Sequence, residues 1–559
     1  MKNFIHVGLL TRDEIVAVII EALRMIPYYC QRQSPPPPPS LRALVKAKQQ
    51  RPKTVFWFEE LSTRTRHSFE EASELVGFRV GGAITAADSS LGKGEPAGLT
   101  LRMLIQQGAD IVVVRSKTEG LGMHLAQCIQ RTPADESWVR QDVSIIVAGA
   151  GTRDHPSQVL LDLVTIVAQR LGVRKQSQYI NLETLFRRQD AEQYLTEQIG
   201  AILDNLKIAF VGDLLHSRVV HDWIKLGKLF SIHFTFIAPP VFQVEVFCRP
   251  EQCAAENELT LALKADVVYT IRTQLERLKE MMPSHEAEAV ARSLMITPEF
   301  MERYEGFILD AQPIDGHAPT IDPCLWVHPK NLMLMESSIG IPTRMAILRL
   351  CEAGRHTEAT PVLEEPRIRP VVLQEGDLND HRQKLDSKYH DRDLFFTYVR
   401  NGTVIDRLRP GTASLVRRLG QKAGLFRGPR RQITIGEGVD SKALPGGKEI
   451  IQLHNRWPSF QLAATIGIIA PDVRFSFMRK DDEEKEYRRL EFPLPKAVAK
   501  LFVCPNPDCI TNCDPEAETF FWVKGQKEEP SDVSLECAYC QHCFDTAAII
   551  SALDHQSIR

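Results

Sequence analysis

At 559 residues the chain is too long for one hydrophobic core, since domains usually run to about 100–200 residues, so three or more domains are expected. Hydrophobic residues make up 43%, charged residues 25%, and the formal net charge is -3, which excludes a disordered chain and a strongly basic nucleic-acid binder. No apolar run is long enough to span a bilayer, and the expectation is a cytoplasmic protein that engages neither membrane nor nucleic acid.

The first element is set by Thr11-Arg12-Asp13-Glu14. Val16, Val18, Ile19, Ile20 and Leu23 near Lys2 could pass for a signal peptide, but this capping box predicts an amphipathic helix instead. Prolines 35 to 39 read as a stiff polyproline II spacer without further function. From about Leu41 to Gly354, β-branched runs (Ile111-Val112-Val113-Val114, Ile145-Ile146-Val147, Ile208-Ala209-Phe210-Val211, Val267-Val268-Tyr269-Thr270) alternate with helical stretches, the pattern of parallel α/β layers. A charged helical stretch around Arg174 to Asn205 exceeds what a crossover needs, and its purpose is not legible.

Between 355 and 393 the periodicity fades among prolines and mixed charges, which reads as a linker. Beyond it a strand at Gly402-Thr403-Val404-Ile405-Asp406, a helix from Ala413 to Lys422 and a strand at Gln432-Ile433-Thr434-Ile435 suggest a small α/β sandwich. Six of the twelve cysteines crowd between Cys504 and Cys543. Cys504-x4-Cys509 and Cys537-x2-Cys540 are two short-spaced pairs, able to close a tetrahedral Zn2+ site, with Cys513, His542 and Cys543 as spare candidates.

Phe58-Glu59-Glu60-Leu61-Ser62-Thr63-Arg64-Thr65-Arg66 precedes a helical face made by Phe69, Ala72, Leu75 and Val76. Hydroxyls and arginines at a helix N-terminus make an anion site, because free amides, hydroxyl donors and guanidinium forks converge on one phosphate; a capped helix with solvated arginines is the equal alternative from chemistry alone. This Ser-Thr-Arg-Thr-Arg run also resembles the carbamoyl phosphate site of the aspartate and ornithine carbamoyltransferases, and further resemblances follow in that family's order. Ser90-Leu91-Gly92-Lys93-Gly94-Glu95 is similar to its mobile loop, which implies that Ser90 and Lys93 act in a neighbouring subunit's site. Arg115 after Val112-Val113-Val114 resembles the arginine that binds the carbamoyl carbonyl, and His155-Pro156-Ser157-Gln158 resembles the element placing His155 on the carbonyl oxygen and Gln158 on the carbamoyl nitrogen.

The acceptor amine is read from the second half. Arg218 and Arg272-Thr273-Gln274 resemble the family's two carboxylate-binding elements, which implies L-aspartate, since a second ammonium would want acidic partners rather than guanidinium forks. Glu60, Arg218 and Arg277 match a trio whose salt bridges hold two subdomains closed. Where the family carries His-Pro-Leu-Pro, this chain has Asp310-Ala311-Gln312-Pro313, so that Gln312 is expected to offer its main-chain carbonyl to the carbamoyl nitrogen if Pro313 keeps the turn.

The region from 395 to 553 resembles the regulatory chain of aspartate carbamoyltransferase, with Asp406 and Arg489 in its nucleotide-effector site and Gln452 where a lysine is expected. The resemblance implies two doubly wound parallel-sheet α/β subdomains (1–160, carbamoyl phosphate; 161–354, aspartate), a linker (355–393), an α+β ferredoxin-like regulatory domain (394–495) and a small all-β zinc domain (496–559). It further implies carbamoyl transfer from carbamoyl phosphate to L-aspartate without a catalytic cofactor, one structural Zn2+ per chain, a nucleotide effector, and a homotrimer or dimer of trimers. A silent scaffold that retains the fold, and a carbamoyltransferase for another amine, are the alternatives.

Overall fold

The computed structural model describes residues 1–36, 51–60, 62–85, 94–131, 139–151, 154–173, 176–215, 217–239, 242, 253–255, 259–272, 275–310, 312, 314, 316, 318–355, 363–364, 367–389, 399–425, 433–439, 447–480, 485–525 and 533–554. They fall into two compact units, Met1–Val362 and Leu363–Arg559.

The first unit holds two parallel sheets. Strands β1 (Lys53–Phe58), β2 (Arg79–Ile84), β3 (Ile111–Ser116) and β4 (Ser144–Ala150) lie in the order β2-β1-β3-β4. Strands β5 (Lys207–Gly212), β6 (His233–Ala238), β7 (Cys253–Ala255), β8 (Val267–Ile271) and β9 (Phe307–Asp310) lie in the order β7-β6-β5-β8-β9. Every residue of β3 and β4 is buried, which is why their sequences run apolar instead of alternating: helices cover both faces of a parallel sheet. Strand order reverses between β1 and β3 and between β5 and β8, so each sheet opens a crevice at the carboxyl ends of its central strands. Glu60 to Thr65 follow β1, Arg115 is the penultimate residue of β3, Arg218 lies beyond β5 and Arg272 follows β8, which puts the arginines at those crevices.

One continuous apolar cluster joins the two sheets, from Ile15 and Phe56 through Phe210 to Leu348. The helix Met333–Gly354 seals it, with Met345, Ala346, Ile347 and Leu348 fully buried against Arg12–Cys30 and Thr63–Leu75. Arg12–Cys30 begins as expected: Thr11 Oγ1 accepts from the Glu14 amide at 3.2 Å and Glu14 Oε2 accepts from the Thr11 amide at 3.0 Å. The stretch 174–205 now has a role. It contains the helices Tyr179–Phe186 and Ala191–Leu203, which bury Leu182, Leu195, Ile199 and Leu203 in the same core, while Arg12 pairs with Asp204 at 2.6 Å.

The second unit is built on an antiparallel sheet of β10 (Val371–Asp377), β11 (Gly402–Leu408), β12 (Ile433–Val439), β13 (Lys448–His454), β14 (Arg474–Lys480) and β15 (Lys485–Glu491), in the order β10-β15-β14-β11-β13-β12. With the helices Thr412–Lys422 and Phe460–Ile469, strands β11 to β14 form the expected ferredoxin-like βαββαβ unit. Its first helix is capped from a distance: Glu449 accepts from the amides of Gly411 at 2.6 Å and Ala413 at 2.7 Å, and Gly411 takes φ +84. The expected linker is corrected. Residues 371–377 form β10, paired to β15, and Leu378–Tyr389 is a helix; solvent-facing Val371 to Leu373 gave no alternation to read. A small sheet, β16 (Ala497–Ala499), β17 (Phe520–Lys524), β18 (Ser534–Cys537) and β19 (Cys543–Asp545), and the segments between its strands carry the six clustered cysteines.

Candidate active site and metal centre

The first unit contains a cleft of about 1280 Å³ lined by Ser62, Thr63, Arg64, Thr65, Arg115, His155, Gln158, Arg218, Arg272 and Gln312, together with Glu336 and Arg344. Ser62 caps the helix Thr63–Leu75 through its backbone, accepting from the Arg66 amide at 3.1 Å, but its hydroxyl is turned to Thr65 Oγ1 at 3.0 Å. The amides of the first helical turn therefore have no partner inside the helix, and with the Thr63 and Arg64 side chains exposed the turn is a ready anion site.

Arg115, 7% exposed, ties the back of the cleft together. Its Nη2 pairs with Glu60 at 2.9 Å, and its Nη1 donates to the Ala148 carbonyl at 3.2 Å and lies 3.3 Å from His155 Nε2. A guanidinium can only donate, so His155 Nε2 accepts and its hydrogen sits on Nδ1. Burial, and then the charges of Arg115, Arg218 and Arg344, hold the His155 pKa well below its ordinary 6.5, so the ring is neutral at pH 7. Asp222 steadies it by accepting from the His155 amide at 2.8 Å.

Of the expected trio, Glu60 and Arg218 meet through two bonds of 3.1 and 3.3 Å across the two subdomains. Arg115 makes Glu60's other contact, a partner the linear order of motifs did not suggest. Burial works against ionisation of Glu60, but the bond and charge of Arg218 and the charges of Arg115 and Lys117 outweigh it and lower its pKa. Arg272 lies at the end of β8 on the cleft wall. Ser90, Lys93, Gln274, Pro313 and the side chain of Arg277 lie outside the described residues.

Gln312 and Gln158 are both held through their side chains. Gln312, at φ +43, accepts from Arg64 at Oε1, and its Nε2 reaches Ser337 Oγ at 3.3 Å. Gln158 gives its amide nitrogen to Asp162 at 3.0 Å and to Glu336 at 2.6 Å. Sequence reasoning missed Glu336 and Arg344, both on the buried face of Met333–Gly354, where their spacing signals only a helix. Arg344 is fully enclosed, donates to the Gly340 carbonyl at 3.0 Å and sits 5.1 Å from the Phe69 ring. Burial and then Arg115 lower its pKa to about 10, so it is still a cation at pH 7. Among the described residues Arg344 makes no ion pair.

In the second unit Asp406 lies between Lys448 at 2.7 Å and Arg489 at 3.1 Å. The lysine sought at 452 is thus supplied four residues earlier on the same face of β13, while Gln452 pairs with Val404 and is buried, its Oε1 without a partner. The sequence could not show this, because an irregularity between Ile405 and Leu408 shifts the register.

Cys504, Cys509, Cys537 and Cys540 converge, each 2% exposed or less, with all four sulfurs within 4.8 Å of one another. Sulfur separations of 3.6 Å (Cys504 to Cys540) and 3.8 Å (Cys509 to Cys537) match the roughly 3.8 Å edge of a tetrahedron with bonds of about 2.3 Å to zinc. Asn512 fixes the first loop by donating to the carbonyls of Cys504 and Asn506, at 2.9 and 2.7 Å. Cys513 and Cys543 are exposed and stay out of the cluster.

Residues 2–168 match the family model for the aspartate/ornithine carbamoyltransferase carbamoyl-P binding domain, and residues 204–351 match that family's Asp/Orn binding domain. Residues 496–550 match the metal binding domain of the aspartate carbamoyltransferase regulatory chain. The aspartate carbamoyltransferase catalytic subunit of Corynebacterium glutamicum is 30% identical over 360 residues, 63% of this chain and 98% of that protein. Its counterpart in Corynebacterium urealyticum is 29% identical over 366 residues, 64% of this chain and 98% of that protein. The solved catalytic subunit of M. jannaschii aspartate transcarbamoylase is 28% identical, with a TM-score of 0.47 over 64% of this chain and 100% of that chain.

Proposed function

We infer, from the premise that this chain belongs to the aspartate/ornithine carbamoyltransferase family, that it moves the carbamoyl group of carbamoyl phosphate onto L-aspartate, giving N-carbamoyl-L-aspartate and phosphate for pyrimidine synthesis. The observation that carries the reading is the convergence of Arg64, Arg115, Arg218 and Arg344 with the neutral His155 on one cleft beside a helix N-terminus that has no side-chain cap. A buried cation without a counter-ion is costly, and a dianionic ligand removes that cost.

The neutral amine of aspartate attacks the carbamoyl carbon, a C–N bond forms, and the bond from that carbon to the phosphate oxygen breaks. Arg115, His155 and Thr65 hold the developing oxyanion, and Ser62, Thr63, Arg64 and the first-turn amides hold the departing phosphate. Arg218 and Arg272 take the two carboxylates of aspartate, and the phosphate takes the proton released by the amine. Lys93 and Ser90 of a neighbouring copy complete each site in a homotrimer, alone or paired into a dimer of trimers. The test is formation of N-carbamoyl-aspartate by the purified chain with aspartate and ornithine supplied separately; product from ornithine alone overturns the choice of amine. Activity restored on mixing an Arg64 variant with a Lys93 variant supports a shared site.

In the second unit, the four cysteines hold a structural Zn2+, which supplies no chemistry to the transfer, and Asp406 with Lys448 and Arg489 receives a nucleotide effector. Support comes from the tetrahedral sulfur spacing and from two cations facing one carboxylate. A cytoplasmic setting fits a chain in which no described helix is long and apolar enough to cross a membrane.

A further inference from the structure

The floor of the cleft carries two carboxyl groups that the transfer reaction as described does not use. Asp162, from the helix Pro156–Arg170, and Glu336, from the helix Met333–Gly354, are both buried, 0% and 4% exposed. They do not bind one another through a cation. Both accept from one nitrogen, Gln158 Nε2, at 3.0 and 2.6 Å, and that amide has two hydrogens to give. Gln158 is the partly exposed member and lines the cleft, so the atom it has left to offer is Oε1, an acceptor. Trp223 Nε1 donates to the other oxygen of Asp162 at 3.2 Å, which fixes that carboxyl in turn.

We propose that Glu336 is a positioning residue: with Asp162 it takes both hydrogens of the Gln158 side-chain amide and so turns Gln158 Oε1 toward the nitrogen of the bound carbamoyl group. The inference rests on the carbamoyl phosphate reading of the cleft. Its geometry has a consequence for protonation. Besides Asp162, the titratable groups facing Glu336 are Asp310 at the end of β9 and the Tyr269 hydroxyl on β8, with Gln158 between them. Burial first, then the negative charges of Asp162 and Asp310, keep the Glu336 pKa well above its ordinary 4.5. Burial likewise pushes Asp162 up to about 7, so the pair is biased toward its protonated form, in which Glu336 still offers Gln158 an accepting carbonyl oxygen. Glu336 Oε2 is buried without a partner. Ionisation at alkaline pH adds a charge at the cleft floor and weakens anion binding. Glu336→Gln copies the neutral acid in shape and in its accepting oxygen, but cannot ionise.

The test is calorimetric titration of the full-length chain with phosphonoacetamide, and with phosphonoacetone, which has a methyl group where the amide nitrogen stands. Wild type is expected to prefer phosphonoacetamide by about tenfold near pH 7, in keeping with one added hydrogen bond. As pH rises and the Asp162 and Glu336 pair ionises, affinity for both ligands should fall by up to about tenfold per pH unit, since the protonated form is the competent one. Glu336→Gln should keep the preference and blunt the alkaline fall, leaving the part that Asp162 contributes. Glu336→Leu, which removes the acceptor, should lose the preference for the amide. An alkaline fall in Glu336→Gln equal to that of wild type overturns the proposal, as does a wild type with no preference between the ligands. If wild type binds neither ligand, the carbamoyl phosphate reading fails and this inference with it. Because the glutamine variant is isosteric, its profile decides the matter even if the leucine variant does not fold.

Discussion

The cleft of the first unit and the cysteine knuckle of the second assemble charge in opposite ways. In the cleft, groups from positions 60 to 344 meet at the carboxyl ends of strands belonging to two sheets, and the excess is positive: Glu60 answers Arg115 and Arg218, while Arg344 has carbonyl and ring contacts only. In the knuckle, four buried sulfurs come from two short loops, Cys504 to Cys509 and Cys537 to Cys540. A site made of distant pieces leans on a core that forms without its ligand. A site made of local pieces needs its ion to form at all.

Removing the metal should separate the two most sharply. Zinc in such a site contributes about 10–16 kcal/mol of binding free energy, which is also folding free energy, so Cys504→Ser with Cys537→Ser should lose the metal and unfold residues 496–554. Metal analysis with hydrogen exchange reads this: about one zinc per wild-type chain is expected, and zinc retained by the double variant would show that other ligands hold it. The corresponding change in the cleft costs rate rather than fold. Arg64→Ala should lower turnover by about 10²–10³-fold, because one preorganised donor to the departing charge is worth roughly 2.7–4 kcal/mol. Near-normal turnover in that variant would move the phosphate elsewhere.

Glu60 lies between these extremes, as a structural ion pair inside the cleft. Glu60→Gln should cost about 1–3 kcal/mol, since it weakens charge-assisted bonds to two arginines. The folded-state pKa of Glu60 is depressed below its ordinary 4.5, so its contribution is fully present above that value and is lost as pH falls through the folded value. Urea midpoints measured across the acid range should converge for wild type and Glu60→Gln as pH falls; a gap that persists in acid would mean that packing, not charge, is responsible. The smallest effect is expected in the second unit, where Lys448→Met should cost about 0.2–1 kcal/mol in thermal unfolding, the range for a partly solvated pair. The same variant should bind nucleotides more weakly than wild type in calorimetry. If wild type binds no purine or pyrimidine nucleotide, the effector reading fails while the metal reading stands.

Much of this chain was legible before folding, where chemistry is local. The capping box at Thr11, the helix that starts after Ser62, and the paired cysteines are fixed by neighbours a few residues apart, and the α/β layering of the first unit follows from buried strands that read as apolar runs. Tertiary structure decided the rest. β10 was invisible because a solvent-facing edge strand carries no alternation, and Lys448 replaced Gln452 opposite Asp406 because a shift in pairing register leaves no mark in sequence. Arg115 joining Glu60, Arg344 entering the cleft, and Glu336 sharing Gln158 with Asp162 depend on helices and strands more than fifty residues apart coming together. Helical periodicity says that Glu336 and Arg344 share a buried face, but only the packing of that helix against the cleft says that the face is charged for a reason.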